Sequence, residues 1–171
     1  VYKRQGLLIF AYPLICQKYY EIESGNEVVK FSKKTEEVDD TEIKRRMDLA
    51  RAYNQTLDPS RLADPFTEKE KAGRAEYARM LEVNEMLGHV EIPRIGQDLP
   101  LYAGTSDEVL EKGLGHLEGT SLPVGGESTH TVITGHRGLP NAKLFRNLDE
   151  LVEGDVFYIH NIEGTLSLIH I

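Results

Sequence analysis

The first apolar cluster along the chain is Gly6–Cys16, an uncharged run of eleven residues. Eleven residues are fewer than the ~20 a helix needs to cross a bilayer. The run therefore fits a short core segment, a remnant of a signal peptide, or the end of a span whose start is missing. The absence of an initiator Met and the nearby Tyr19 and Tyr20, placed where interfacial aromatics stand, favour the last. Further on, Ile43, Met47, Ala50 and Leu57 recur at spacings of 4, 3 and 7, which is one face of a helix. Thr41 is the expected N-cap, and Asp58-Pro59 the stop, because proline disfavours helical geometry in the residue before it. Thr67-Glu-Lys-Glu70 fits a capping box and predicts a second helix with Ala72, Ala75, Ala78 and Leu81 on its weakly apolar side. Ser60–Phe66 between them reads as a loop.

From Met86 the pattern turns to β. His89–Ile95 partly alternates, Leu99–Tyr102 follows a short turn, and Ser106–Glu111 reads as a helical turn capped by Ser106. His130–Thr134 is rich in β-branched residues and predicts a strand. Asn141–Leu148 predicts a short helix with Leu144 and Leu148 on one side. Asp155–His160 is another strand, Asn161–Gly164 a turn, and Thr165–Ile171 the start of a return strand. Short strands punctuated by Gly113, Gly115, Gly119, Gly125 and Gly126 predict a barrel or sandwich.

Charge divides the chain the same way. Residues 17–87 hold 13 basic and 16 acidic side chains, whereas 88–171 hold 5 and 12. The net charge of −8 and the lack of a Lys/Arg cluster argue against nucleic acid as a partner. The single cysteine, Cys16, excludes an intrachain disulfide. Its uncharged surroundings suit an apolar filler better than an activated thiolate, which needs cationic neighbours.

Candidate chemistry narrows to one histidine of six. His136 follows a strand and lies between glycines in Thr134-Gly-His-Arg-Gly138. Glycines there let the backbone turn and present the ring at a rim, where an imidazole can shuttle protons near neutral pH. The commoner role for such a residue is a hairpin-corner histidine. His130 and His136 are six apart, and no His-Glu-x-x-His or paired-cysteine motif occurs, so no metal is expected. Phosphate-loop, dinucleotide and Gly-x-Ser-x-Gly fingerprints are missing as well, and no cofactor is expected.

A set of blocks then becomes familiar: Leu81-Glu-Val-Asn-Glu-Met-Leu-Gly88, Ile92-Pro-Arg-Ile95, Leu99-Pro-Leu-Tyr102, Gly115-His-Leu-Glu-Gly-Thr-Ser-Leu-Pro-Val-Gly-Gly126, and Thr131-Val-Ile-Thr-Gly-His-Arg-Gly-Leu-Pro140 followed by Leu144-Phe145. In this order the chain resembles the class C, pilin-polymerising sortases of Gram-positive bacteria from about Gly6 to Leu166. The resemblance implies a mainly β fold: a sortase-type β-barrel, incomplete here, over 86–171. Before it would come a helical region over 21–85 with a lid loop at 60–66. Residues 1–20 would be the end of a membrane anchor, and the protein would sit in the cell membrane on its extracellular face. Asp64-Pro65-Phe66 matches the Asp-Pro-aromatic lid anchor of that family, which gives Asp64 and Phe66 a gating role.

The implied chemistry is transpeptidation. A cysteine thiolate attacks the Thr–Gly bond of an LPXTG-like sorting signal on a pilin or surface protein, and a pilin lysine resolves the thioacyl intermediate. His136 matches the family's histidine. The family's Thr-Leu-x-Thr-Cys strand and the arginine after it do not occur in these 171 residues. Neither Cys16 nor Arg137 lies where those residues belong. The expectation is thus a chain cut before its cysteine and arginine, with residues 1–5 and 167–171 of foreign origin, and inactive as it stands. The alternative is a non-catalytic module that keeps the scaffold to bind cell-wall or pilin peptides.

Overall fold

The computed structural model describes residues 2–57, 78–138 and 144–171. The expected lid loop with Asp64 and Phe66, and nearly all of the second helix expected from Thr67, lie outside the described residues.

Helix α1 runs unbroken from Tyr2 to Glu36 through Pro13. It therefore crosses the expected boundary at residue 20. No helix among the described residues is long and apolar enough to cross a membrane. Within the uncharged run, Ile9, Tyr12, Leu14 and Ile15 are exposed. Tyr20, expected at an interface with Tyr19, instead turns onto the protein and donates its hydroxyl to the Lys112 carbonyl at 2.8 Å. Burial, with Tyr102 and Glu23 nearby, pushes that phenol well above its ordinary range.

Helix α2 spans Asp40–Thr56 and buries Met47 and Ala50, as the spacing requires. Its cap is Asp39, not Thr41: the Asp39 carboxylate accepts the Thr41 N–H at 2.9 Å. The cap hydrogen bonds hold that carboxyl below its ordinary range. Leu57, just before Asp58-Pro59, is already extended.

Six strands follow: β1 (Met86–Ile92), β2 (Gln97–Ala103), β3 (Leu114–His116), β4 (Ile133–Thr134), β5 (Val156–His160) and β6 (Thr165–Ile169). They form one mixed sheet in the order β4-β3-β2-β1-β5-β6, in which only β2 and β3 run parallel. The sheet curls into a half-barrel. Helix α3 (Asp107–Lys112) makes the crossover from β2 to β3. Ser106 holds its N-cap position without a side-chain cap bond.

Strand β1 is buried at six of its seven positions rather than alternating, because it is central and covered on both faces. His89 lies edge-on to Phe31 of α1, while Val90 and Ile92 point into the curl. Edge strand β6 does alternate, with Leu166 and Leu168 turned inward. Together with Ile133, Phe145, Leu151 and Phe157 these side chains line an apolar cavity of about 530 Å³. The cavity lies between β4 and β6, the two ends of the sheet, and no described strand joins them. The helix expected over Asn141–Leu148 begins in residues outside the description. What is described is a 3-10 segment, Leu144–Glu150, kinked at Phe145 and Asn147. Leu144 and Leu148 do not share a side: the first is buried, and the second is partly exposed at the cavity.

Candidate functional site

The strand expected over His130–Thr134 is shorter than predicted. Only Ile133 and Thr134 pair with β3, opposite His116 and Gly115. His130 to Val132 is held instead by the turn that follows β3. The Leu117 N–H donates to the Val132 carbonyl at 2.9 Å, and the Ser121 N–H to the His130 carbonyl at 2.9 Å. The His130 N–H donates to Ser121 Oγ at 3.0 Å, and the Val132 N–H to Thr120 Oγ1 at 3.2 Å. Two side-chain oxygens thus stand in for the carbonyls of a neighbouring strand.

This arm ends at His136, two residues past β4 and half-buried. The Phe145 N–H donates to the His136 carbonyl at 3.1 Å, so the backbone is held on both sides of the ring. The two flanking glycines serve different ends. Gly135 has no left-handed backbone; a Cβ there would stand 2.6 Å from the Leu114 side chain and 3.2 Å from the Phe145 ring. Gly138 has φ +124 and supplies the turn, with Arg146 packed beside it. Arg137 points away and makes an exposed ion pair with Asp149 at 3.4 Å. Such pairs contribute little.

The turn has a hub that sequence reasoning left without a role. His116, Thr120 and Ser121 are all buried, His116 and Thr120 at 2% exposure. His116 Nε2 lies 2.9 Å from the Ser121 carbonyl and 3.2 Å from Thr120 Oγ1. A carbonyl can only accept, so Nε2 carries a proton. Nδ1 is buried without a partner among the described residues. Burial pushes this imidazole below its ordinary value of 6.5, opposed by the hydrogen bond to Ser121 and the charge of Glu118. Burial therefore favours the neutral imidazole. Its contribution to stability is full above 6.5 and is lost as pH falls below that, through the folded value. Replacing it with glutamine is expected to flatten the loss of urea-unfolding stability between pH 7 and 5; equal slopes in the two proteins would contradict the assignment. The only sequence signal was the Gly115–Gly126 block itself, in which a histidine stands four and five residues before Thr120 and Ser121.

Cys16 lies elsewhere. The hollow around it is lined by Tyr12, Pro13, Ile15, Tyr19, Tyr20 and Glu23, all from α1. None of the described residues that line it is cationic. Hydrogen bonding to Cys16 and its charge raise the Tyr12 hydroxyl above its ordinary range. Among the described residues no group of three His, Cys, Asp or Glu side chains could hold a metal ion.

A sortase domain is matched over residues 90–167, which takes in β1's last three residues, the whole His136 arm and most of β6. Streptococcus pneumoniae sortase C shares 50% identity and a TM-score of 0.74 over 83% of this chain and 71% of its own. The chain belongs to the class C sortases. Streptococcus agalactiae sortase C1 is as similar, at 52% identity and a TM-score of 0.75, covering 84% of this chain and 72% of that one. A lid mutant of the same streptococcal enzyme matches at 51% identity and a TM-score of 0.71, over 82% and 71%. Sortase D of Bacillus subtilis (strain 168) is 38% identical over 74 residues, 43% of this chain; the chain spans 34% of that relative's length. The curled sheet with its helical region is thus a sortase scaffold.

Proposed function

We propose that this chain supplies the histidine side of a cysteine transpeptidase that cleaves LPXTG-like sorting signals and joins pilin subunits through a lysine amine. The observation that carries the reading is the His136 arm. The Thr-Gly-His-Arg-Gly segment sits at the end of β4, held from both sides, in a scaffold half identical to a pneumococcal sortase C. That relative is described by its catalysis and its pilin substrate specificity. The reaction also needs the family's cysteine and arginine motifs, which do not occur in these 171 residues. The cysteine sulfur forms a bond to the threonine carbonyl carbon, and the Thr–Gly C–N bond breaks. His136 gives the leaving amine its proton, then accepts one from the lysine amine that displaces the sulfur. Residence on the outer face of the membrane belongs to the same proposal. It is supported by the uncharged Gly6–Cys16 run, whose apolar side chains at Ile9, Leu14 and Ile15 are exposed.

The test joins this chain after Leu166 to the C-terminal segment of S. agalactiae sortase C1. The hybrid is expected to cleave a fluorogenic LPXTG peptide, and His136→Ala to lower turnover by roughly 10³-fold or more. A folded hybrid that binds the peptide without cleaving it would replace this reading with a peptide-binding module.

Asp64 and Phe66 are assigned to a lid in the same proposal. The Asp-Pro-Phe motif supports it, as does a relative known in a lid-mutant form. Asp64→Ala in the hybrid removes a charge-assisted anchor of ~1.5–3 kcal/mol, so the catalytic thiol should label roughly ten- to a hundredfold faster. Slower labelling, or turnover lost as completely as in His136→Ala, would place Asp64 in the reaction itself.

A further inference from the structure

We propose that His116 is a positioning residue for His136, acting through the Thr120–Ser121 turn; this rests on reading His136 as the group that moves protons. The arm that carries His136 has few strand partners of its own. Only Ile133 and Thr134 pair with β3, and that strand is three residues long. Everything before them is fixed by Leu117, Thr120 and Ser121. Two of those residues, Thr120 and Ser121, meet the His116 ring.

The hydrogen bonds at this hub close without conflict. Thr120 Oγ1 donates its single proton to the Leu117 carbonyl at 2.8 Å, which leaves its lone pairs to accept. It accepts from the Val132 N–H and shares the His116 Nε2–H with the Ser121 carbonyl. Ser121 presents three groups in two directions. Its carbonyl meets His116, while its N–H and Oγ grip both backbone polar groups of His130. The far side of the turn is clamped as well: the Leu122 N–H donates to Asn54 Oδ1 at 2.7 Å, and Asn54 Nδ2 donates to the Leu122 carbonyl at 3.1 Å. The turn is a splint between α2 and the arm, and the imidazole sets its shape.

A neutral histidine suits this task. Its Nε2–H reaches the Ser121 carbonyl from a rigid ring with few rotamers, so the donor is already aimed. Loss of that donor would leave a buried carbonyl without its partner and free the turn to rotate. The arm would then keep its two-residue ladder but lose the alignment of the segment before it.

Three variants of the 171-residue chain test this: His116→Phe keeps the ring and removes the donor, His116→Gln places an amide N–H near the Nε2 position, and Thr120→Val deletes the acceptor for Val132. Two readouts are followed, amide hydrogen exchange and the rate at which diethylpyrocarbonate modifies His136, located by mass spectrometry. In His116→Phe and Thr120→Val, exchange at Val132 and His130 is expected to rise tenfold or more and His136 modification about fivefold. The β1–β5 ladder should stay within twofold, and His116→Gln should stay close to the parent in both readouts. If His116→Phe does not fold, Thr120→Val decides. Unchanged exchange at Val132, a β1–β5 ladder that loosens to the same degree, or a glutamine variant as loose as phenylalanine would each overturn the proposal. None of these readouts needs peptide turnover, so a failure of the transpeptidase reading and a failure of the turn to align the arm are told apart.

Discussion

Gly88→Ala is expected to cost about 3 kcal/mol or more, enough to shift the urea midpoint of the chain by more than 1 M. Gly88 has φ +157, and a Cβ built on it would overlap the His160 carbonyl of the neighbouring β5. It sits where the β1–β2 register shifts between Met86 and Gly88, so the extra residue of a bulge is accommodated at a position that must have no side chain. The obstructing atom is backbone in a paired strand, and it cannot move aside without breaking the β1–β5 ladder beside it. The same step disturbs the stacked rings of His89 and His160, 4.3 Å apart, each held to a carboxylate: His89 to Asp98 at 2.6 Å and His160 to Glu91 at 3.1 Å. Gly96→Ala is the control. Gly96 has φ +60 with open space around it, so only the ~1–2 kcal/mol of a left-handed backbone is at stake. Equal urea midpoints for the two variants would show that the bulge relaxes and that the close approach to His160 does not constrain the sheet.

The elements legible in the sequence were those whose pattern came from a single covered face. Helix α2 announced itself by Met47 and Ala50, and strand β6 lies within the return strand expected over Thr165–Ile171. Where two faces are covered, the pattern blurs. The stretch read as partly alternating was His89–Ile95, whereas β1 is Met86–Ile92 and Pro93–Ile95 leaves the strand as a 3-10 turn; Gly88 and His89 are both buried, the first by the bulge and the second under Phe31. The cap of α2 was misplaced by two residues because Thr41 and Asp39 are both good capping residues, and only backbone geometry separates them.

The arm was legible as a place and not as a mechanism. Thr134-Gly-His-Arg-Gly138 marked His136, but β-branched residues at Thr131 and Val132 suggested strand pairing, whereas the structure ties this segment to backbone and side-chain groups of the 117–121 turn. Nothing in a one-dimensional pattern shows that Thr120 and Ser121 will take the part of a strand. Nor does it show that His116, Asn54 and Asn161 anchor the loop through backbone groups; Asn161 Nδ2, for one, donates to the Pro123 carbonyl at 2.9 Å. These are long-range contacts made by small polar residues, and their sequence signal is no different from that of ordinary turns.

The 171-residue polypeptide is expected to leave a fluorogenic sorting-signal peptide intact, with turnover about 10⁴-fold or more below that of the hybrid completed after Leu166. The reason is the placement of sulfur. The one thiol is Cys16, in a hollow made by its own helix and by residues that include Glu23. Thiolate formation is favoured by neighbouring cations, and none of the described residues lining that hollow is cationic. No wall of it comes from the sheet, the His116 turn or the His136 arm. A proton-handling histidine without a nucleophile in reach can orient a peptide and nothing more, since the first step of the proposed reaction is formation of the carbon–sulfur bond. Cys16→Ala should accordingly leave peptide binding and stability unchanged within about 0.5 kcal/mol, as for a half-exposed helix position. The decisive measurement is peptide cleavage by the purified chain with and without iodoacetamide. Turnover that iodoacetamide stops and Cys16→Ala removes would make Cys16 the nucleophile. It would also require α1 to bend back toward β4, against the Tyr20 hydroxyl that ties the helix to the Lys112 carbonyl.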